Sequence, residues 1–302
     1  MPAGGEPSRD LEQAAAVFAE ARGRLFGIAY RMLASRAEAE DIVQDTWVRW
    51  QTCDRTDVRN PDAFLALTTT RLCLNVMQSA RARRETYVGP WLPEPVDTSA
   101  DPLLGAQRAE ALEFATLILL EKLTPTERAA YVLREAFDYP YAQIADIVQV
   151  SEDYARQLVS RARKHLAAQR REPASPAEHR RLLAAFVSAA QCGDMAALEA
   201  VLADDVVSYT DGNGIRGAAR IPVVGGPAVA RFLAAFAPRF WPGLTLSWRT
   251  VNGLPAVLLT RDQTRVALLT IGASAGAVDT LLWVMSPDKL AGLSTPAEPA
   301  LG

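Results

Sequence analysis

The chain has 302 residues, of which 49% are hydrophobic and 22% charged, with a formal net charge of −3; that length suits two or three compact domains rather than one. No stretch stays apolar for a membrane-spanning length, and Met1-Pro2-Ala3-Gly4-Gly5-Glu6 carries neither a basic start nor an apolar run, so a cytoplasmic protein with no membrane partner is expected. Cys53, Cys73 and Cys192, even joined by His165 and His179, lack the spacing of zinc ligands, so free or buried thiols and no metal or cofactor are expected.

Residues 10–87 carry helical periodicity. Leu25, Ile28, Ala29, Met32 and Leu33, then Ile42, Val43, Thr46 and Trp47, recur at three- and four-residue steps. After a loop over 52–60, Pro61 opens another helix, with Asn60 as its cap and Asp62 in its first turn, running through Leu65, Leu72 and Val76 towards Arg84. Residues 88–107 hold Pro90, Pro93, Pro95 and Pro102 and read as an extended linker. Helical pattern resumes from 109 to about 120. Thr124-Pro125-Thr126-Glu127 then reads as a cap with proline at the first helical position.

Two further helices, Tyr141 to Val148 and Glu152 to about Gln169, are separated by Gln149-Val150-Ser151, which is helix-turn-helix spacing. Ala155, Leu158, Val159, Ala162 and Leu166 form the packing stripe of the second helix, leaving its bases to face outward. Pro173 and Pro176 mark a boundary. Beyond it, 179–203 reads as helices with a turn at Gly193-Asp194, 227–238 as another helix, and 244–251, 255–260, 265–271 and 277–285 as strands, with Asn252-Gly253 as a hairpin turn. This is an α+β domain with helices lying on a curved sheet.

Charge is distributed unevenly along each helical segment. Residues 38–62 hold seven acids and three bases, whereas 63–87 hold one acid and four bases; 154–172 holds six bases and one acid. Such polarity fits a protein partner on one surface and phosphate on another. On the helix around Glu40-Asp41-Ile42-Val43-Gln44-Asp45-Thr46-Trp47-Val48, the residues Asp41, Gln44, Asp45 and Val48 fall along one ridge. The pattern alone favours an ordinary solvated acidic face with Trp47 or Trp50 in the core.

These blocks resemble extracytoplasmic-function (ECF) sigma factors. The acidic block is similar to the polymerase-binding helix of that family. Phe64-Leu65-Ala66-Leu67-Thr68-Thr69-Thr70-Arg71-Leu72-Cys73-Leu74-Asn75, followed by Arg81-Ala82-Arg83-Arg84, is similar to the helix contacting the minus-ten promoter element. Arg71, Asn75, Arg81, Arg83 and Arg84 are its candidate DNA contacts, with Arg59 and Asn60 as candidates for holding a flipped base. A helix C-terminus also favours bases without any ligand. Leu123 to Arg128, Tyr141 to Ala145 and Ser151 to Arg163 resemble the domain reading the minus-thirty-five element. That resemblance places 152–166 in the major groove, with Tyr154, Arg156 and Gln157 near base edges, Arg161, Arg163 and Lys164 near phosphates, and Ser160 as a further candidate DNA contact. Leu158 and Gln149 depart from the family, which often has a basic residue at the first position and usually glycine at the second.

The linker strip Tyr87-Val88-Gly89-Pro90-Trp91-Leu92-Pro93-Glu94-Pro95, with Asp211-Gly212-Asn213-Gly214 and Ser286-Pro287-Asp288-Lys289-Leu290, resembles the sigma-J-type branch, whose members carry a C-terminal SnoaL-like domain. Asn213, Ile215 and Ser286 depart from the branch's glycine, lysine and asparagine. The prolines are expected to display Trp91 and Leu92 as exposed anchors, and the strip to dock near Asp211–Gly214, making Trp91, Leu92, Pro93, Glu94, Pro95, Asp211, Gly212, Asn213, Gly214, Pro287, Asp288, Lys289 and Leu290 the interdomain regulatory set. The same resemblance implies that the linker acids Glu94, Asp97 and Asp101 enter the polymerase channel, although solvated linker acids need no such role.

The expected fold is therefore multidomain: a sigma region 2 domain over 10–87, an extended linker over 88–107, a sigma region 4 helix-turn-helix domain over 108–170, both all-α, and a cone-shaped α+β SnoaL-like domain over 177–292. The expected partners are RNA polymerase core enzyme, promoter DNA and a small-molecule ligand of the C-terminal domain. SnoaL-like domains resemble isomerase folds that use Asp, His or Tyr for proton transfer. Neither histidine lies in the strand region, and Asp211 reads as part of a glycine-rich turn, leaving Tyr209 and Asp211 as the acid/base candidates of a catalytic alternative. The expected protein is not an enzyme. The rival of a different class is a helix-turn-helix regulator acting without polymerase, with a ligand-sensing or vestigial isomerase-like domain.

Overall fold

The structure is a computed structural model that describes residues 6–85, 87–98, 114–167 and 174–293. The chain divides into two compact units, one taking Met1–Arg83 with Pro102–Gln169, the other Arg84–Asp101 with Arg170–Gly302. The linker strip therefore belongs to the same unit as the C-terminal domain.

The first unit is helical, with α1 (Glu6–Leu33), α2 (Arg36–Thr52), α3 (Pro61–Glu85), α4 (Phe114–Leu120), α5 (Pro125–Phe137), α6 (Tyr141–Val148) and α7 (Glu152–Ala167). Leu25, Ile28, Ala29, Met32 and Leu33 are buried as their spacing requires, the leucine, isoleucine and methionine side chains each contributing about 1.5–3 kcal/mol when fully removed from water. Ser35 caps α2 through the Glu38 N–H, and Asn60 caps α3 through the Ala63 N–H at 3.1 Å. At α5 the Thr124–Glu127 capping box closes in both directions.

Two buried arginines tie the front helices to the back ones. Arg128 of α5 donates to the Met32 carbonyl at 2.7 Å and to Glu121 at 2.6 Å. Arg31 of α1 donates to the Gly27 carbonyl and lies 5.0 Å from the Phe137 ring. Burial pushes both guanidinium groups down to about 10, so both remain charged at neutral pH.

The second unit contains α8 (Pro176–Cys192), α9 (Met195–Val201), α10 (Gly226–Phe240) and α11 (Pro287–Leu290) with strands β1 (Leu202–Asp211), β2 (Val223–Val224), β3 (Thr245–Val251), β4 (Leu254–Arg261), β5 (Thr264–Ser274) and β6 (Ala277–Val284). The sheet runs β2-β1-β6-β5-β4-β3; β1 pairs β6 in parallel and all other neighbours are antiparallel. Leu182, Leu183, Phe186, Val187 and Ala190 of α8 bury against Val257, Leu259, Leu269, Ile271 and Trp283 of the sheet. The turn at Asn252-Gly253 has both residues at positive φ, 53° and 80°, the geometry that suits a two-residue hairpin.

Two sequence expectations need correction. Strand β1 was not foreseen, because Leu202–Asp211 opens on the polar run Asp204-Asp205 and directly follows a helix. Asp211 consequently closes a central strand and is fully buried, rather than belonging to the glycine-rich turn.

Candidate nucleic-acid and partner surfaces

Helix α2 sorts its residues sharply. Ile42, Val43, Thr46 and Trp50 are buried, while Asp41, Gln44, Asp45 and Val48 are all exposed, Val48 at 49%. Trp50 anchors the inner face, its indole N–H donating to the Ala14 carbonyl at 3.0 Å. The Thr46 and Thr69 hydroxyls, 3.1 Å apart, join α2 to α3. An exposed valine within a carboxylate ridge is a surface with an apolar centre and an anionic rim, which suits a basic partner.

Arg59, Asn60, Arg71 and Asn75 are exposed. Arg81, Arg83 and Arg84 fall in the last turns of α3, where the side chains lie outside those described. A cavity of about 350 Å³ opens between α2 and α3, lined by Arg49, Thr52, Cys53, Phe64, Leu67, Thr68 and Arg71. Two guanidinium groups, hydroxyls and a phenyl ring are the elements that hold a phosphate and stack a base. Asn60 lies outside this lining, its side chain occupied as a helix cap. Arg71 reaches across to the helix-turn-helix, donating to the carbonyls of Asp146 at 3.2 Å and Ile147 at 3.5 Å.

In the helix-turn-helix, α6 ends at Gln149, whose φ of 58° and ψ of 54° are left-handed. Ser151 then starts α7 by accepting the Tyr154 N–H at 3.2 Å. Ala155, Leu158, Val159, Ala162 and Leu166 are buried, and Tyr154, Arg156, Gln157, Ser160, Arg161, Arg163 and Lys164 are all exposed. Leu158 is thereby explained as a core residue. Arg156 pairs with Glu152 and lies over Tyr141, Arg161 lies over Tyr154, and Arg163 pairs with Glu135 at 2.6 Å. Exposed pairs of this kind contribute roughly 0–1 kcal/mol and exchange readily for a stronger anion.

The third constellation is the linker grip. Trp91 is half-buried and Leu92 fully buried, because a buried carboxylate, that of Asp211, captures the strip. Asp211 Oδ2 accepts the Leu92 N–H at 2.7 Å and Lys289 Nζ at 2.6 Å, and Asp211 Oδ1 accepts the Tyr87 hydroxyl. Lys289 also donates to the Leu92 carbonyl at 2.5 Å and lies 4.2 Å from the centre of the Trp91 ring. Burial, followed by the bond to Asp211, pushes the Tyr87 hydroxyl up, keeping it a proton donor.

Further along, Val96 exchanges two hydrogen bonds with Asn252, at 3.0 Å and 2.9 Å, and the Thr98 N–H donates to the Thr250 carbonyl at 3.0 Å. The linker thus extends the open edge of β3. Glu94, expected to be displayed, is buried; Asp101 lies outside the described residues. Val96 escaped the sequence reading, and Tyr87 entered it only as the first residue of the strip, with no contact of its own. Asn252 had been explained fully by its turn.

A helix-turn-helix with an exposed basic face, joined to a helical domain with an anionic ridge, defines a two-module promoter-recognition factor. The Sigma-70 region 2 family matches residues 17–84 and the Sigma-70, region 4 family residues 117–166. The chain is 38% identical over 295 residues to the ECF RNA polymerase sigma factor SigJ of Mycobacterium tuberculosis H37Rv, covering 91% of this chain and 92% of that protein. It is 31% identical over 276 residues to the probable ECF RNA polymerase sigma factor SigI of M. tuberculosis CDC 1551, covering 89% and 92%. The crystal structure of M. tuberculosis SigJ superposes with a TM-score of 0.75 at 32% identity, covering 92% of this chain and 98% of that one. The chain belongs to the extracytoplasmic-function sigma factors, which direct RNA polymerase to promoters, and its C-terminal unit is a mixed-sheet α+β domain.

Proposed function

We propose that this sigma factor engages core polymerase through Asp41, Gln44, Asp45 and Val48. It contacts the minus-ten element through Arg59, Asn60, Arg71, Asn75 and the arginines at 81, 83 and 84, and reads the minus-thirty-five element through α7. Tyr154, Arg156 and Gln157 meet base edges, Arg161, Arg163 and Lys164 meet phosphates, and Ser160 is a further DNA contact. The working division is 10–87, 88–107, 108–170 and 177–292, and the protein acts in the cytoplasm beside polymerase. The observation that carries this reading is the alternation on α2 and α7: each proposed contact residue is exposed, while the intervening Ile42, Val43, Ala155, Leu158, Val159 and Ala162 are buried and Trp47 is half-buried.

The C-terminal domain regulates in cis by holding the linker. Support comes from the donors and acceptors that converge on Asp211, and from the strand-like pairing at Thr98. The same convergence argues for a structural Asp211 and against a catalytic base, since both carboxylate oxygens are committed to linker and lysine donors.

Run-off transcription and pull-down with purified core enzyme test the reading. Asp41→Arg with Asp45→Arg is expected to weaken core binding at least tenfold without changing the melting temperature, and Trp91→Ala or truncation near Gly292 to change promoter-directed transcription. Failure of the wild-type chain to bind core at low and moderate salt would overturn the first part. Wild-type transcription from Trp91→Ala and from truncations near Gly292 and Pro176 would overturn the second.

A further inference from the structure

The C-terminal unit contains a cavity of about 50 Å³, open on one side, that none of the surfaces above uses. Helix α10 supplies one wall through Phe232, Phe236 and Phe240, and Trp241, Trp283, Met285 and Thr210 also line it. The rings brace each other: Phe240 meets Trp241 at 5.3 Å and 82° and Trp283 at 5.8 Å and 87°, while Phe232 and Phe236 lie 4.7 Å apart. Edge-on packing of this kind fixes the walls before any ligand arrives. Phe236, although part of the lining, is 39% exposed.

Among the described residues, the lining contains no Asp, Glu, Lys, Arg or His. A charged ligand would lose its hydration there without gaining a counter-charge, so the walls select a neutral one. With roughly 10–15 Å³ needed per water-sized body, the space matches a few waters, or one small planar ring system that projects towards the mouth. Its position supplies the consequence. Thr210 immediately precedes Asp211, and the N–H groups of Met285 and Ser286 donate to the Asp211 carbonyl at 2.7 Å and 3.0 Å. A ligand pressing on Thr210 and Met285 bears on the backbone that aims the Asp211 carboxylate at Leu92.

We propose that this aromatic cavity is a receptor site for a small, neutral, planar apolar molecule of one or two rings, whose occupancy alters the hold of the C-terminal domain on the linker. The second clause rests on the linker reading above; the binding site itself does not.

Indole is the probe, titrated into the full chain and followed by ligand-observed NMR, with benzoate and benzyltrimethylammonium as charged comparisons. Saturable indole binding is expected, at least tenfold tighter than either ion. Ala237→Leu, which fills the cavity, and Phe236→Ser, which removes a half-exposed ring at little cost to folding, should each weaken it at least fivefold. Circular dichroism checks that both variants fold. Unchanged binding in Phe236→Ser and folded Ala237→Leu, or no saturation in the wild type, overturns the site; tighter binding of the quaternary ammonium overturns the ligand class.

For the coupling, hydrogen exchange at the Leu92 amide should change at least threefold with saturating indole in the wild type and remain constant in Ala237→Leu. Binding without that change overturns the coupling alone. Transcription by Trp91→Ala without indole tests the linker reading separately, so the two failures are distinguishable.

Discussion

The Lys289 ammonium lies 2.6 Å from a carboxylate oxygen of Asp211, with the Asp211 side chain wholly enclosed and that of Lys289 only 12% exposed. A buried carboxylate deprived of its cation has no water to replace it, and breaking such a pair from one side typically costs about 3–5 kcal/mol. Lys289→Met keeps the aliphatic stem and removes the charge. It is expected to lower the melting temperature of the C-terminal unit by several degrees in calorimetry and to accelerate hydrogen exchange at the Leu92 amide, which donates to the same oxygen. An unchanged melting profile would show that the pair contributes nothing to the grip.

Gln149 occupies the left-handed position of the helix-turn-helix, with φ at 58°. A side chain there costs about 1–2 kcal/mol relative to glycine, partly offset because glycine gains entropy in the unfolded chain by about 0.4–1 kcal/mol. Gln149→Gly should therefore stabilise the helical unit by a few tenths to about 1 kcal/mol, read as a small rise in melting temperature. Gln149→Ala retains the β-carbon and should give no comparable gain.

The exposed bases of α7 are expected to separate into two classes in salt titrations of promoter binding by the holoenzyme. Lys164→Ala should weaken all sequences alike and reduce the slope of log K against log salt by about 1. Arg156→Ala should instead relax preference at one base pair, by about 1–3 kcal/mol, on promoters selected from a randomised library by the wild-type factor. Identical salt slopes and identical selected sequences for both variants would remove the division between phosphate and base contacts.

Local signals made most of this fold legible. Pro125 behind Thr124, Ser151 before Glu152, and Asn252-Gly253 each carry their structure in two or three residues. The apolar spacing on α2 and α7 also fixed which side chains would face out. What remained hidden depends on distant partners. Asp211 read as a turn residue because nothing nearby in sequence announces Leu92, 119 positions away, as its donor. Nothing in the helical spacing marks Arg31 and Arg128 as interior; their burial depends on tertiary packing, with Arg128 donating to the Met32 carbonyl and Arg31 lying over the Phe137 ring. For Trp91 and Leu92, proline stiffness alone does not say where the strip lies; the expectation of docking near Asp211–Gly214 comes from the family resemblance.

His179, in the first turns of α8, is 3% exposed, with Nε2 lying 2.9 Å from the Ile271 carbonyl. That contact makes Nε2 the protonated nitrogen of a neutral ring and leaves Nδ1 as an enclosed acceptor. Burial holds its pKa below the ordinary 6.5, opposed by the bond to Ile271. The unfolded chain thus takes up a proton before the folded one does. Stability is complete above about pH 6.5 and declines as pH falls through that value, approaching a slope of about 1.4 kcal/mol per pH unit until the folded form also titrates. Thermal melts of the full chain between pH 7.5 and 5.5 should show the transition of the C-terminal unit moving down. His179→Gln, which can still donate to the Ile271 carbonyl but does not titrate, should flatten that dependence while costing some stability at pH 7.5. An equal downward shift in wild type and variant would assign the pH sensitivity to other groups.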